Sequence, residues 1–281
     1  MDPAKAKNTI ISNIKVIPTL PDRMHQVLNL LKDDNTSIKE LAHFISYDQA
    51  MASRILQAAN SIQFGFSRKI ATVDRATVIL GFKAVTSLVL GISVFDNFRL
   101  TKNEVSIDLD ALWKHSMGCA VAAHLISNKS RGSVDRKTLL TAAILHDIGK
   151  VIMDRFFSRE YAKTLHAVRN NGLSMAKAEE TMMGFNHADA GGWFCDELAF
   201  PSVLVSPISF HHNIDGVHKE HALITSMVHI ADNLCKRAQI GDSGDDNKTH
   251  AINLHAQHLL NLNKDDLEQI TSELKEEENI N

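Results

Sequence analysis

The chain has little of what cross-links, kinks or charges a protein. Cysteine occurs three times in 281 residues, at 119, 195 and 235, and no two form a CxxC pair. An odd count at wide spacing argues against a disulfide framework and fits a reducing compartment. Five prolines stand at 3, 18, 21, 201 and 207, so the strongest helix breaker is absent from Asp22 to Phe200. There are two tyrosines and two tryptophans, which leaves little surface on which a nucleic-acid base could stack. Trp113 and Trp193 read as core anchors. Neither sign of charge dominates: 30 Lys and Arg face 33 Asp and Glu, a net charge of −3. That balance gives no argument for nucleic acid or an anionic membrane as a partner. The longest nearly apolar run, Ala84 to Phe95, is too short to span a bilayer. The opening MDPAKAKNTII has no long apolar segment of the secretory kind. These absences lead us to expect a cytoplasmic protein with no membrane or nucleic-acid partner.

What remains is an ordinary globular composition, 44% hydrophobic and 22% charged, long enough to bury a sizeable core. Apolar residues recur at three and four, never convincingly at two, so the spacing predicts an all-α fold. Pro21 opens a helix carrying Met24, Val27, Leu28, Leu30 and Leu31. Ser37 with Glu40 forms a capping box for a helix through Ile45. Asp48 caps MASRILQAANS, Asp74 caps a short helix ending near Gly81, and another helix runs from Val85 to Phe95. The polar stretch 99–107 suggests a boundary, with a helical unit over 1–107 and a second over 108–281. In the second, Asp108 caps Leu109 to about Asn128, and Asp135 caps a helix through Leu145. Further helices cover Tyr161 to Asn170, a segment begun by Ser174, the segment HADAGGWFCDEL capped by Asn186, one opened by Pro201, and Leu223 to Arg237. GDSGDDNKT (241–249) reads as a mobile polar loop, and a last helix runs near Asp265 to Glu278.

The excess is in histidine, 15 residues. A single histidine on a helix is usually a surface or hydrogen-bonded residue, but context separates a few from the rest. His146 and Asp147 end an apolar helix between Leu145 and Ile148, where an uncompensated carboxylate is costly and a bound cation removes the cost. Adjacent helical residues point about 100° apart, so such a doublet converges on one ion most easily at a helix end. Gly149 would give the backbone freedom to turn there. His211 and His212 repeat the arrangement after SVLVSPISF. Asp232 sits in the apolar segment MVHIADNL and needs a cation or several donors. His115 lies in a helix beside Leu112, Trp113 and Met117, and His187 starts one directly after its cap. Five imidazoles and two carboxylates form a mixed nitrogen and oxygen set. It suits iron or manganese, admits zinc, and disfavours calcium and magnesium. Seven ligands exceed the usual set of one ion, so Asp147 is a candidate bridge between two.

At these residues the chain resembles the HD superfamily of metal-dependent phosphohydrolases, through His115, the doublet His146-Asp147 and the later Asp232. The order of segments narrows the resemblance to the HDOD branch. PTLPDRMHQVLNLLKDDNTSIKELAHFISYDQAMASRILQAANS and FGFSRKIATVDRATVILGFKAVTSLVL look like its first half. LWKHSMGCAVAAHLIS, AAILHDIGKVIM, GFNHADAGGWFCDELAFP and SFHHN look like its second half. The resemblance covers roughly residues 15 to 275. It implies a helical HD-type core with an added N-terminal helical bundle and a role in bacterial signalling or regulation.

The same residues, His115, His146, Asp147, His187, His211, His212 and Asp232, match metal positions of the related HD-GYP phosphodiesterases. Lys150 matches the lysine that contacts substrate phosphate there. Two departures weigh against cyclic di-GMP as substrate. The GYP stretch is missing from HHNIDGVHKEH, and Ala111 replaces a glutamate that some HD-GYP members carry. The resemblance therefore implies one or two divalent ions, with Asp147 and Lys150 as catalytic residues acting on a phosphate-containing small molecule. Lys150 also admits a plainer reading, a surface lysine at a helix end. Lys129 and Arg131 could meet an anion, although simple solvation explains them as well. The alternative to catalysis is an interaction module with a protein partner in a signalling pathway, its metal structural or sensory.

Overall fold

The computed structural model describes residues 1–16, 45, 49–62, 70–99, 106–245 and 251–278. Every regular element among them is helical. In chain order these are α1 (Pro3–Val16), α2 (Gln49–Ile62), α3 (Val73–Leu80), α4 (Phe82–Arg99), α5 (Leu109–Lys129), α6 (Arg136–Leu145) and α7 (Ile148–Phe156). There follow α8 (Ser158–Asn171), α9 (Met175–Met183), α10 (His187–Glu197), α11 (Ser202–Phe210), α12 (Ala222–Ala238), α13 (Leu254–Leu259) and α14 (Lys264–Glu278). The all-α expectation holds, and no helix among the described residues is long and apolar enough to cross a membrane.

Local chemistry sets most of the helix starts. The Asp108 carboxylate accepts from the amides of Asp110 and Ala111, and Asp135 accepts from Thr138. Ser174 accepts from Lys177. Asn186 and Asp189 exchange side-chain and backbone bonds in a full capping box. Each satisfies an amide that the first turn leaves without a helical partner. One cap differs from expectation. The cap of α3 is Thr72, which accepts from the Arg75 amide, and Asp74 lies inside the first turn, where its charge favours the helix dipole. Gly172 and Gly184 end α8 and α9 at positive φ, 64° and 82°. The helices α1, α7 and α13 were not anticipated. The expected helix from Pro21, the Ser37–Glu40 box and the Asp48 cap lie outside the described residues.

A core cluster of buried apolar side chains runs from Ala6 in α1 to Leu274 in α14. Its centre is α5, packed on both α6 and α12. Twelve of the 21 residues of α5 are buried, and truncating one of its large side chains, such as Leu112, costs about 2–5 kcal/mol. On one flank α4 lies on α6 and α2 on α4. On the other, α7 packs on α10, α10 on α11, and α11 on both α6 and α12. The N-terminal α1 buries Ala6, Ile10 and Ile14, spaced by four, and docks on α10 and α7. The ends of α6, α10 and α11 thus meet the middles of α5 and α12, and the polar cluster lies at that meeting point.

Gly149 serves a purpose different from the one expected. It sits inside α7 without a positive φ. A Cβ there would lie 1.8 Å from the His187 carbonyl oxygen and 2.8 Å from the Gly191 amide. The glycine lets α7 and α10 approach backbone to backbone, which brings His187 to the His146-Asp147 doublet.

Candidate metal centre

All seven expected ligands converge. His146 and Asp147 form the two-residue junction between α6 and α7, with His146 still helical (φ −54°, ψ −38°) and Asp147 at φ −95°, ψ 11°. That change of backbone direction turns both side chains to one place. His211 ends α11 and His212 follows in the turn. His187 is the first residue of α10, His115 lies within α5, and Asp232 within α12. Six of the seven are at most 1% exposed, and His212 is partly exposed.

The ligand atoms divide into two adjacent groups, in each of which all atoms lie within 4.8 Å of one another. The first is His115, Cys119, His146 and Asp232, and the second is Asp147, His187, His211 and His212. Asp147 faces both. Its Oδ1 lies 3.1 Å from His187 Nε2 and 3.7 Å from His211 Nε2. Its Oδ2 lies 3.3 Å from His146 Nε2 and 3.7 Å from His115 Nε2. Asp232 Oδ1 is 3.1 Å from His115 Nε2 and 3.6 Å from His146 Nε2.

Second partners fix which ring nitrogen faces inward. Nδ1 of His146 donates to the Ala143 carbonyl at 2.8 Å, and Nδ1 of His211 to the Ile208 carbonyl at 3.0 Å. Nδ1 of His115 lies 3.4 Å from the Ile240 carbonyl. Nδ1 of His187 donates to Glu179 Oε2 at 2.5 Å, an oxygen that also takes the His187 amide. A carbonyl or carboxylate oxygen can only accept here, so Nδ1 carries a hydrogen and Nε2 is the nitrogen that faces the centre. This is the orientation that outer partners impose on metal-ligating histidine. His146 Nε2, His211 Nε2 and Asp147 Oδ1 are buried without any hydrogen-bond partner. His187 Nε2 and His212 Nε2 face each other at 2.8 Å, two bases that need a shared proton or a cation between them. A buried polar atom left without a partner is costly, and a metal ion would satisfy these at once. The donor set and the unpartnered atoms therefore fit a divalent transition ion.

Charge enforces the same picture. Burial would raise Asp147, but His146 and Lys150 hold it well below the usual carboxylate range. Burial would likewise raise Asp232, which Lys236 and His115 hold well below that range. Burial brings His211 down to about 4 and His212 well below its ordinary value, so both are neutral. His115 goes the other way: burial lowers it, and Cys119 and Asp232 more than compensate, leaving it at about 9. His146 is raised as well: burial lowers it, and Asp147, Cys119 and Asp232 together more than compensate. His187 is raised too, since Glu179 and Asp147 together outweigh burial, so without a metal protons on these imidazoles balance the carboxylates.

Lys150 is fully buried, so it is no surface lysine. Its Nζ donates to Asp147 Oδ2 and to the Ser243 carbonyl, both at 2.8 Å. Lys236, four residues after Asp232, mirrors it with a 2.8 Å bond to Asp232 Oδ2. Asp245 completes the set, its Oδ2 lying 2.8 Å from Lys236 and 3.6 Å from Lys150. The described part of the 241–249 loop is consequently pinned over the centre rather than solvated, with Ser243 only 4% exposed. Gly241 (φ 64°) allows this, because a Cβ there would fall 2.3 Å from the His115 amide. Lys129, by contrast, bonds Gln269 of α14 and takes no part in the site.

Five participants escaped the sequence reading: Cys119, Glu179, His229, Lys236 and Asp245. Two carried a usable signal, since Cys119 follows His115 and Lys236 follows Asp232 by four residues, the spacing of one helix face. His229 is a brace, its Nδ1 donating to the His211 carbonyl at 2.7 Å and its Nε2 accepting from Asn253 at 2.9 Å.

Fold and site define an all-helical protein with a buried histidine and aspartate cluster that could hold metal. The HDOD domain matches residues 17–214, about two thirds of the chain, and the chain belongs to the HDOD family. Asp232, Lys236 and Asp245 lie beyond the matched stretch. An HDOD domain protein of unknown function from Geobacter sulfurreducens shares the fold at a TM-score of 0.73, with 24% identity over 97% of this chain and 95% of that one. A protein from Shewanella amazonensis SB2B, provisionally named a phosphohydrolase, has a TM-score of 0.69 and 20% identity over 95% of this chain and 93% of its own. An uncharacterized protein of Treponema pallidum (strain Nichols) is 19% identical over 227 residues, 81% of this chain. The chain spans 44% of that relative's length.

Proposed function

We propose that the chain is a metal-dependent phosphoesterase of a bacterial signalling system, holding two divalent ions in the adjacent groups bridged by Asp147. The observation that carries this reading is the set of inward-facing atoms, His146 Nε2, His211 Nε2 and Asp147 Oδ1, buried with no hydrogen-bond partner. Iron or manganese fits the second group, and the thiol of Cys119 lets the first accept zinc as well. Such a pair would polarise a phosphoryl oxygen and lower the pKa of bound water. The chain itself supplies the rest. Carbonyl oxygens and Glu179 fix the imidazole tautomers, Asp147 spans both groups, and Lys150 and Lys236 balance carboxylate charge beside the place where a phosphate would sit. The resemblance to phosphohydrolases and the name of the Shewanella relative point the same way.

Metal content decides the reading first. Elemental mass spectrometry on protein purified without chelator or nickel resin, with and without air, should find about two equivalents of iron or manganese. Hydrolysis of bis(p-nitrophenyl) phosphate should then depend on that metal. Less than a tenth of an equivalent, not restored by added metal, would overturn the metal reading. A second reading draws on the burial of six of the seven ligands: a structural or sensory metal in a module whose output is a protein contact. Full metal occupancy with no hydrolysis of any phosphoester, even after the covering loop is opened, would favour it.

A further inference from the structure

The carboxylate of Asp245 sits in surroundings that look made for a different anion. Its Oδ2 faces the ammonium groups of Lys236 at 2.8 Å and Lys150 at 3.6 Å, and takes the Ser243 hydroxyl at 3.1 Å. Its Oδ1 takes the Met175 amide at 2.7 Å, the first residue of α9. Two ammonium groups and an amide at a helix N-terminus, all outside the segment that carries Asp245, are donors of the kind that bind phosphate in proteins. The lysines are nearly inaccessible, 0% and 6% exposed. Each also bonds the carboxylate of an expected metal ligand, Asp147 or Asp232. An anion held by them is therefore one carboxylate away from both ligand groups.

The segment that delivers Asp245 is irregular chain. It leaves α12 at Gln239, turns at Gly241, and is tied to α5 by the Asp242 amide on the Ala111 carbonyl at 3.1 Å. Among the described residues, the remaining polar tether of 241–245 consists largely of the Ser243 and Asp245 contacts. The segment covers Lys150 and Lys236 without being woven into a helix.

We propose that Asp245 is an internal stand-in for substrate phosphate. Residues 241–245 then form a plug over an anion position made by Lys150, Lys236 and the Met175 amide, which a phosphate group occupies when the plug lifts. The proposal rests on the phosphoesterase reading for the identity of the anion, but the position is built from protein groups alone. It can therefore be tested without metal.

The experiment is calorimetric titration of inorganic phosphate into the full chain after chelation and dialysis, at fixed ionic strength. Asp245→Ala should bind phosphate at least tenfold more tightly than the unaltered chain, and adding Lys236→Met should abolish the gain. Equal affinity of Asp245→Ala and the unaltered chain would overturn the proposal, as would a gain that survives Lys236→Met. Asp245→Asn guards against a folding failure, because it removes the charge and keeps an acceptor for Met175. Phosphate should raise its melting temperature by several degrees more than it raises that of the unaltered chain, against a chloride control. No difference there would also overturn the plug. Metal content is measured separately on the unaltered chain, so failure of the metal reading is distinguishable from failure of this one.

Discussion

The two ligand groups share Asp147 as a neighbour, yet differ in how much of their chemistry the chain already satisfies. In the first, Asp232 spends both oxygens, one toward His115 and His146 and one on Lys236, and Cys119 keeps its proton because burial pushes the thiol well above its usual value. In the second, the imidazoles of His211 and His212 are neutral, Asp147 Oδ1 and His211 Nε2 have no partner, and His212 is partly exposed. A ligand must lose its proton before it binds. The second group holds two neutral imidazoles and a single raised one, His187 beside Glu179, while the first must shed protons from His115, His146 and the thiol. Two sites of similar composition can differ in affinity through this protonation cost alone.

The strongest way to break that contrast is to remove the group they share. Asp147→Ala should leave less than a tenth of an equivalent of metal by elemental analysis. It should also lower thermal stability, since it strands the buried Lys150, a loss of about 3–5 kcal/mol. Full occupancy in this variant would show that neither group needs Asp147. Gly149→Ala should be nearly as damaging, because its Cβ meets the His187 carbonyl and forces α7 off α10. Circular dichroism melting and metal content should fall together.

A milder change separates the groups. Glu179 touches only the second, through His187 Nδ1 and its amide. Glu179→Gln keeps an acceptor and removes the charge, and should weaken the second ion about 10–100-fold, as loss of an outer partner usually does. Competition with a fluorescent chelator would measure this. Equal weakening of both ions would erase the distinction between the groups.

How much of this could be read from residues alone follows the range of the forces involved. Caps such as Asp108, Asp135, Ser174 and Asn186 act within three residues, and their helices were legible. The seven ligands were legible because charged and imidazole side chains in apolar helices are chemically out of place, and because their order resembles a known family. Glu179 was not, since nothing local says that α9 will lay its side chain under the start of α10. Gly149 was misread for the same reason: a turn is a local demand, whereas close helix approach is a demand of the partner. Asp245 hid in a polar stretch whose composition is that of solvated loops, and only its distances to Lys150 and Lys236 reveal it as buried.

The pH dependence sharpens the contrast further. In the metal-free chain His115 has a pKa of about 9 against an ordinary 6.5. A raised histidine stabilises the fold fully below its unfolded value, and that contribution fades as pH rises through its folded value. Metal must displace this proton, so affinity at the first group should increase as pH rises toward about 9, and further beyond it while the thiol still holds its proton. The second group, with His211 at about 4 and only His187 raised, should depend on pH less steeply over the same interval. Calorimetry in two buffers of different ionisation enthalpy would count the protons released for each ion. A first group whose affinity does not change with pH would remove the proposed reason for its weakness.

The smallest expected effect is on the identity of the ion rather than its presence. Cys119 is the one soft donor among the ligands, and serine at that position keeps the size while replacing sulfur by oxygen. Thiolate strengthens the preference for zinc over manganese, and oxygen weakens it. Cys119→Ser should therefore leave the second group's metal content unchanged and shift the first from zinc toward manganese when both are offered in equal amounts. Cys119 is buried with a hydrogen-bond neighbour in His115 at 3.4 Å, which the serine hydroxyl can still approach, so the melting temperature should change little. If zinc retention were unaffected, sulfur would not be a ligand. The first group would then be a three-donor site, and the asymmetry between the groups would rest on Lys236 and the protons of His115 and His146 alone.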